Sequence, residues 1–248
     1  MSGAVERTGY RYIPGPFQFS SGVAALPGYA IHRVRFAKPV LLKQGFDRIE
    51  AFLTQQGLPL TAFCACELRS PAPFTDAGFI AFNRDYVGTL TRWGIVEGDN
   101  NPVARSNVCP ELNKPEGPSF HAFSIAVPSP DAPPSFVIAG SAEAHEGPGA
   151  YRDKTVRWGE TSVDAIAEKI GFVLGQVEKR MASLDVDWTM VTGAQAYTVY
   201  DIYPTLARDI VARGAAEHGV TWHFCRPPVI GLEFELDCRG VHAERVLL

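Results

Sequence analysis

The sequence predicts an α/β (α+β) fold made of two tandem units, each a mixed sheet with helices on one face. The order strand, helix, strand, helix, strand, strand occurs twice along the 248 residues, although few residues are identical between the copies. A proline-rich segment, residues 128–134, separates the copies, and its four prolines cannot continue a β-ladder. We therefore expect a first unit at residues 1–127, a linker at 128–134 and a second unit at 135–248.

The first unit opens with two strands on either side of a turn at Pro27 and Gly28. From Gly45 the apolar residues recur at helical spacing, which predicts a helix that ends at Gly57. The compact apolar run 60–68 has the length and the proline-containing flanks of a strand. A strand here would place Cys64 and Cys66 on the same face.

A second helix is predicted to begin after Thr75, whose hydroxyl suits an N-cap, and to end before Gly94. Its aromatic side chains recur on one face and are expected to be core. They are Phe79, Phe82, Tyr86 and Trp93. Residues 119–127 then read as the closing strand of the first unit.

Arg105 lies between these elements, in a short segment bounded by Pro102 and Pro110. A guanidinium matches a carboxylate through two parallel hydrogen bonds, so this arginine is a candidate carboxylate clamp. The alternative is a solvated arginine that pairs weakly with a surface acid.

The second unit repeats the pattern of the first. Residues 162–184 have the strongest helical period of the chain, and a shorter helix is expected from Pro204 to Gly214. The predicted strands are 135–143, 188–200, 220–225 and 232–238.

The last of these strands alternates between apolar and acidic side chains, so that Glu233, Glu235 and Asp237 share one face. A solvated outer face is one explanation of this pattern. Because helices cover one face of such a sheet, the other face must meet water, a partner subunit or a ligand, which leaves the acids available for chemistry.

Composition excludes several classes of function. A formal charge of −4 without a basic, aromatic-rich cluster argues against a nucleic-acid partner. The sequence has no apolar run of membrane-spanning length, and residues 1–7 lack the apolar core of a signal peptide, so we expect a soluble, cytoplasmic protein. The five cysteines and six histidines are scattered without zinc-ligand spacing, which predicts reduced, structural thiols and no metal site.

Several short strings resemble the RidA-like reactive-intermediate imine/enamine deaminase superfamily, which has a chorismate-mutase-like fold. Residues 81–86 (AFNRDY) are similar to its Asn-x-x-Tyr helix, and residues 104–108 (ARSNV) to its Ala-Arg-Ser-Cys-Val strand. Residues 136–141 and 231–237 are similar to two further strands of that family. The two-copy form also resembles deaminases of 2-aminomuconate-type compounds in the degradation of aromatic compounds.

The resemblance implies roles for individual residues. Arg105 falls on the arginine that binds the substrate carboxylate, Asn83 falls on an asparagine near the same pocket, and Asn107 replaces the usual cysteine. In the second copy, Gly219 stands where the arginine would be. Conversely, the closing strand of the first copy has no acid where the family has its water-activating glutamate, whereas the second copy has Glu235 and Asp237.

Because family sites lie between neighbouring subunits of a trimer, the complementary losses predict one composite site per chain in a homotrimer. Arg105 would come from a first half and Glu235 or Asp237 from a second half, within one chain or across an interface. Glu143 is a further candidate acid, unless it is a solvated strand end.

The implied reaction is the hydrolysis of an enamine or imine carboxylate to a 2-oxo acid and ammonia, with no cofactor. Arg105 would bind the carboxylate, an acid of the closing strand would activate water, and Asn83 or Asn107 would hold the amine or the water. A dicarboxylate substrate needs a second cation, for which Arg69 is the candidate, unless it forms a salt bridge at the rim. The alternatives are a non-catalytic small-molecule-binding regulatory protein of the same fold and a chorismate-type hydrolase.

Overall fold

The computed structural model describes residues 4–7 and 9–248 and shows two mixed β-sheets with five helices. Residues 1–3, on which the expectation about a signal peptide partly rests, lie outside the described residues. The strands are β1 Val5–Arg7, β2 Tyr10–Tyr12, β3 Gly22–Ala25, β4 Tyr29–Leu41, β5 Phe63–Arg69, β6 Ala104–Pro110, β7 Ser119–Pro128, β8 Phe136–Ala142, β9 Gly193–Tyr197, β10 Val220–His223, β11 Cys225–Arg226, β12 Glu235–Gly240 and β13 Glu244–Leu247. The helices are α1 Leu42–Gln55, α2 Asp76–Arg92, α3 Tyr151–Lys154, α4 Val163–Ser183 and α5 Tyr203–Thr205.

The two sheets share one topology in their central strands. We call the sheet with the order β11-β6-β5-β7-β4-β13 the N-sheet and the sheet with the order β1-β2-β3-β8-β12-β9-β10 the C-sheet. The run β6-β5-β7-β4 corresponds to β10-β9-β12-β8, and in each run the first pair is parallel and the others are antiparallel. The repeated order of elements in the sequence therefore corresponds to a repeated order of strands in space.

The two halves also exchange strands. Strands β1 to β3 of the first half extend the C-sheet, whereas β11 and β13 of the second half flank the N-sheet. Residues 129–135 connect β7 to β8 without helix or strand. The division into a first unit, a linker and a second unit stays a prediction.

Helices cover one face of each sheet, and the remaining two faces pack against each other. Helices α1 and α2 bury their apolar sides against the N-sheet, and α4 does so against the C-sheet. Each large aliphatic side chain buried in this way, such as Ile170 or Val173, stabilises the fold by about 1.5–3 kcal/mol. A third cluster lies between the sheets and contains Ile31 and Ala104 of the N-sheet with Val23 and Ala139 of the C-sheet. The acidic face of β12 is therefore covered by the other sheet of the same chain, and a solvated outer face was the wrong explanation.

Helices α2 and α4 are where the sequence placed them, and Thr75 caps α2 as predicted. Thr75 Oγ1 accepts a hydrogen bond from the Gly78 N–H at 3.1 Å, and Ser162 Oγ accepts one from the Ala165 N–H at 3.4 Å. These side chains accept bonds from N–H groups that lack a partner in the first helical turn.

Several element boundaries differ from the prediction for local reasons. In the segment 188–200, Asp187 caps a short 3₁₀ turn at Trp188–Met190, so the strand begins only at Gly193. The segment 204–214 contains α5 and two further short helical stretches before Gly214, whose φ is 141°. On β5, an irregularity between Phe63 and Ala65 changes the pairing register with β7. As a result Cys64 lies between the sheets and Cys66 lies on the helix side, so the prediction of one shared face was wrong.

Candidate active site

Arg105 lies on β6 with its side chain on the helix-covered side of the N-sheet, and it is only 3% exposed. Four aromatic rings surround its guanidinium, with the guanidinium carbon 4.9–5.8 Å from their centroids. They belong to Phe19, Phe79, Phe82 and Tyr86. Among the residues that the structure describes, Nη1 has no hydrogen-bond partner. Burial lowers the pKa of Arg105, because the aromatic rings replace only part of the lost hydration.

The guanidinium opens onto a cavity of about 610 Å³ where β6 meets β8, β12 and the loop before α3. The cavity combines an aromatic wall with a few polar groups, as small-molecule sites do. It is lined by Phe19, Phe79, Arg105, Asn107, Gly140, Tyr151, Arg180 and Glu235, among others.

Glu235 brings a carboxyl group into this cavity from β12, more than a hundred residues along the chain from Arg105. A Cβ atom at Gly140 would clash with Glu235 Oε1, so glycine on the neighbouring strand β8 leaves room for the carboxyl group in this position. Burial, and then the negative charge of Asp237, raise the pKa of Glu235 to about 8. The group therefore carries its proton at neutral pH and can both donate and accept one.

Asp237, two residues further along β12, is in a different situation. Its carboxylate accepts hydrogen bonds from Ser106 Oγ at 2.5 Å, Gln195 Nε2 at 2.9 Å and the Tyr197 hydroxyl at 2.8 Å. It faces the space between the two sheets and is not among the residues that line the cavity. Asp237 is thus a partnered group whose charge acts on Glu235.

A short hydrogen-bond chain links Asp237 to the wall behind Glu235. Ser106 Oγ donates to Asp237 and accepts from the Gly140 N–H at 3.1 Å. Ser106 follows Arg105 on β6, so this chain also fixes β6 relative to β8. The hydrogen bonds of Ser106 therefore connect the three strands that carry Arg105, Glu235 and Gly140.

The remaining predicted site residues divide between the cavity and the core. Asn107 lines the cavity, and its Oδ1 accepts from Ser70 Oγ at 2.9 Å. Asn83 is buried in α2, where its Nδ2 donates to the Phe79 carbonyl at 2.6 Å, and it does not line the cavity. Arg69 lies over the Tyr197 ring and is not among the residues that line the cavity, although its positive charge acts on Glu235.

Glu143 is neither a solvated strand end nor part of the cavity lining. Its carboxylate pairs with Lys169 at 3.2 Å, and both side chains are 0% exposed. It also accepts hydrogen bonds from the backbone N–H groups of Glu233 and Phe234, at 2.6 and 3.1 Å. Glu143 therefore holds the chain that leads into β12.

Most residues that line the cavity were not predicted from the sequence, among them Tyr151, Arg180 and Phe19. Tyr151 and Arg180 lie on helices α3 and α4 of the second half, and Phe19 comes from the irregular segment before β3. No local pattern singles them out, because only the packing of the two halves brings them to the cavity. Within the described ranges, no group of three or more His, Cys, Asp or Glu side chains is arranged to hold a metal ion. No described helix is long and apolar enough to cross a membrane.

The fold thus brings a buried arginine and a protonated carboxyl group into one cavity of a single chain. A family model described as 2-aminomuconate deaminase CnbZ matches residues 3–245. A 2-amino-5-chloromuconate deaminase from Comamonas testosteroni is 48% identical over 241 residues, which cover 96% of each chain. The chain belongs to the 2-aminomuconate deaminase CnbZ family, and the expectation of a deaminase is confirmed.

Solved structures show only distant similarity. A chorismatase has a TM-score of 0.49 at 11% identity, over 96% of this chain and 79% of its own. A cyanuric acid hydrolase has a TM-score of 0.42 at 12% identity, over 88% of this chain and 69% of its own. Similarities at this level carry no information about activity.

Proposed function

We propose that this protein hydrolyses an enamine carboxylate of the 2-aminomuconate type to the 2-oxo acid and ammonia, with its own side chains as the acid–base groups and no cofactor. The observation that carries the proposal is the meeting of Arg105 and Glu235 in one cavity. Membership of the family supports this substrate class.

Arg105 binds the carboxylate next to the carbon that bears nitrogen. The buried guanidinium has spare donor capacity at Nη1, and a carboxylate is the ligand that matches its planar fork. The ion pair forms in a largely dehydrated pocket, where it is stronger than in water. This contact orients the substrate and draws electrons away from the carbon that water attacks.

Glu235 performs the proton transfers in turn. The protonated carboxyl first donates to the enamine carbon, which gives the iminium ion. The carboxylate then takes a proton from water as the oxygen bonds to the iminium carbon. The recovered proton passes to nitrogen, ammonia leaves, and the hydroxyl proton of the product returns to Glu235, so the group ends as it began. A pKa of about 8 suits this cycle because Glu235 can be either protonated or ionised close to neutral pH.

Of the two candidate asparagines, Asn107 is the one whose side-chain amide can position the water or the amine. Its Oδ1 is held by Ser70, and its Nδ2 has no partner in the described part of the chain. An Nδ2–H group can donate to the attacking water oxygen, whereas Asn83 does not line the cavity.

Ammonia release by the purified protein tests the proposal directly. We expect release from 2-aminomuconate, and a Glu235→Gln variant should lose about 10²- to 10⁴-fold in kcat, the usual contribution of a general acid–base group. Glu217→Gln, at an exposed position, is the matched control and should keep full activity. If wild-type protein binds carboxylates in calorimetry but releases no ammonia, a non-catalytic binding function replaces this proposal.

The proposal includes a RidA-like architecture and a homotrimer. The repeated strand order of the two sheets supports the first of these. A native mass of three chains would agree with the second, and a monomeric mass would remove it without affecting the site within one chain.

A further inference from the structure

Arg180 of α4 lines the same cavity as Arg105. Its side chain is 11% exposed. Nη1 donates to the backbone carbonyls of Ala139 and Gly140, at 3.0 and 3.3 Å. Nη2 forms an ion pair with Glu146 Oε1 at 3.0 Å. The guanidinium is therefore fixed in the cavity wall by main-chain atoms, with one edge given to a carboxylate.

Gly140 connects Arg180 to the reacting centre. Its carbonyl is held by Arg180, and its missing side chain leaves the space that Glu235 Oε1 occupies. The positive charges of Arg105, Arg69 and Arg180 all oppose the raised pKa of Glu235. Of these three cations, Arg105 and Arg180 line the same cavity as the acid.

Glu146 is a poor permanent partner for such a cation. Its side chain is 63% exposed, so the ion pair is worth little, typically below about 1 kcal/mol. It precedes Gly147 and Gly149, which have φ angles of 115° and 110° in the loop that borders the cavity. Lys154 adds a further positive charge at this end, where its Nζ donates to the Gly147 carbonyl at 2.9 Å. A free carboxylate in the cavity can replace Glu146 at the edge of the Arg180 guanidinium.

We propose that Arg180 determines specificity for dicarboxylates by binding the second carboxylate of the substrate while Arg105 binds the first. Glu146 occupies Arg180 until that carboxylate arrives. This inference rests on the proposed function for the identity of the reaction, but the second carboxylate subsite can be tested without turnover.

Muconate and sorbate make a matched pair of probes, because they share a six-carbon diene and differ in whether its far end is a carboxylate or a methyl group. Calorimetry with wild-type protein should show tighter binding of muconate. Arg180→Met should weaken muconate binding about 100-fold, the loss typical for one partner of a buried charged contact, and leave sorbate binding unchanged. Lys179→Met, at the exposed neighbouring position on α4, is the control and should change neither.

A second variant tests the proposal even if Arg180→Met does not fold. Glu146→Gln changes only an exposed side chain, and it should strengthen muconate binding about 3-fold or more by removing the competing carboxylate, with no effect on sorbate. Equal weakening of both probes by Arg180→Met would show that Arg180 only supports Gly140, and would overturn the proposal. An unchanged muconate affinity in Glu146→Gln would also overturn it.

The outcomes separate this inference from the proposed function. If no enamine releases ammonia but Arg180→Met still distinguishes muconate from sorbate, the reaction is wrong and the subsite stands. If ammonia is released but Arg180→Met treats both probes alike, the reaction stands and the subsite is wrong.

Discussion

At two buried places in this chain a cation lies near a carboxyl group. One place is within the second half, and the other is where the two halves of the chain meet. Glu143 and Lys169 are in direct contact and are completely buried. Arg105 and Glu235 are equally far from solvent, at 3% exposure each, but they face a cavity. Within the described chain, Arg105 forms no ion pair.

The difference separates a structural ion pair from a cation and a protonated acid that face a cavity. Buried charges that satisfy each other stabilise the backbone around them, as Glu143 does for the entry into β12. A buried guanidinium whose N–H group has no partner in the described chain costs stability, and a carboxylate bound in the cavity would satisfy it. A substitution at Arg105 should therefore reduce activity with little loss of stability. A substitution at Glu143 should reduce stability.

The largest expected effect is on turnover at Arg105. Arg105→Met should reduce kcat/KM for 2-aminomuconate by about 1,000-fold, because a desolvated charged contact to the substrate is lost. The melting temperature should stay the same or rise, since an unpaired buried charge is removed. Arg92→Met, at an exposed arginine of α2, is the control. A large drop in melting temperature would show that Arg105 is structural and break the comparison.

The structural pair should respond in the opposite way. Glu143→Leu leaves Lys169 buried without its carboxylate and leaves two backbone N–H groups without their acceptor, so unfolding free energy should fall by about 3 kcal/mol. Chemical denaturation measures this loss, with Glu217→Leu as the exposed control. Full stability together with lost activity would instead place Glu143 in the chemistry.

Gly140 tests whether the position of Glu235 matters. An alanine Cβ would clash with Glu235 Oε1, so Gly140→Ala must displace the carboxyl group. We expect about a 100-fold loss of kcat, because a misplaced acid loses most of the contribution of general acid–base catalysis. Gly175→Ala is the matched control, since no heavy atom lies within 4 Å of a Cβ added at that position of α4. Normal kcat in Gly140→Ala would show that the Glu235 carboxyl need not occupy this space.

The smallest expected effect is a shift in pH dependence. Because the cycle begins with protonated Glu235, kcat/KM should fall as the pH rises through about 8. Asp237→Asn removes the negative charge that raises this pKa, so the alkaline limb should move to lower pH by about one unit while burial keeps the pKa above its ordinary value. Asp131→Asn, at an exposed loop position, should leave the profile unchanged. A shift to higher pH in Asp237→Asn contradicts the electrostatic role of Asp237.

Local patterns predicted the long elements well. The apolar period places α2 and α4 correctly, and the predicted cap at Thr75 marks the start of α2, because these signals act within one or two helical turns. The one-residue shift on β5 between Phe63 and Ala65 was not predictable in this way. It depends on how β5 pairs with β7, a strand more than fifty residues away.

The candidate site was predictable only in part. Arg105 and Glu235 were found, since each stands in a short string similar to a known family and each half lacks what the other supplies. Arg69 and Glu143 were proposed for the same site, but side-chain direction on a strand and the identity of the covering element decide what a residue contacts. Arg180 was missed because nothing in a helical period distinguishes an arginine that faces solvent from one that faces a cavity.

The sequence by itself determined the repeated order of elements. It also determined that the second copy lacks the arginine and that the first copy lacks the acid. Both follow from the sequence because periodicity and residue identity are local properties. Only the tertiary structure decided that the two sheets pack against each other, which buries the acids of β12 and leaves the Glu235 carboxyl beside Arg105. That outcome depends on contacts between residues more than a hundred positions apart, and on the space left by the missing side chain of Gly140.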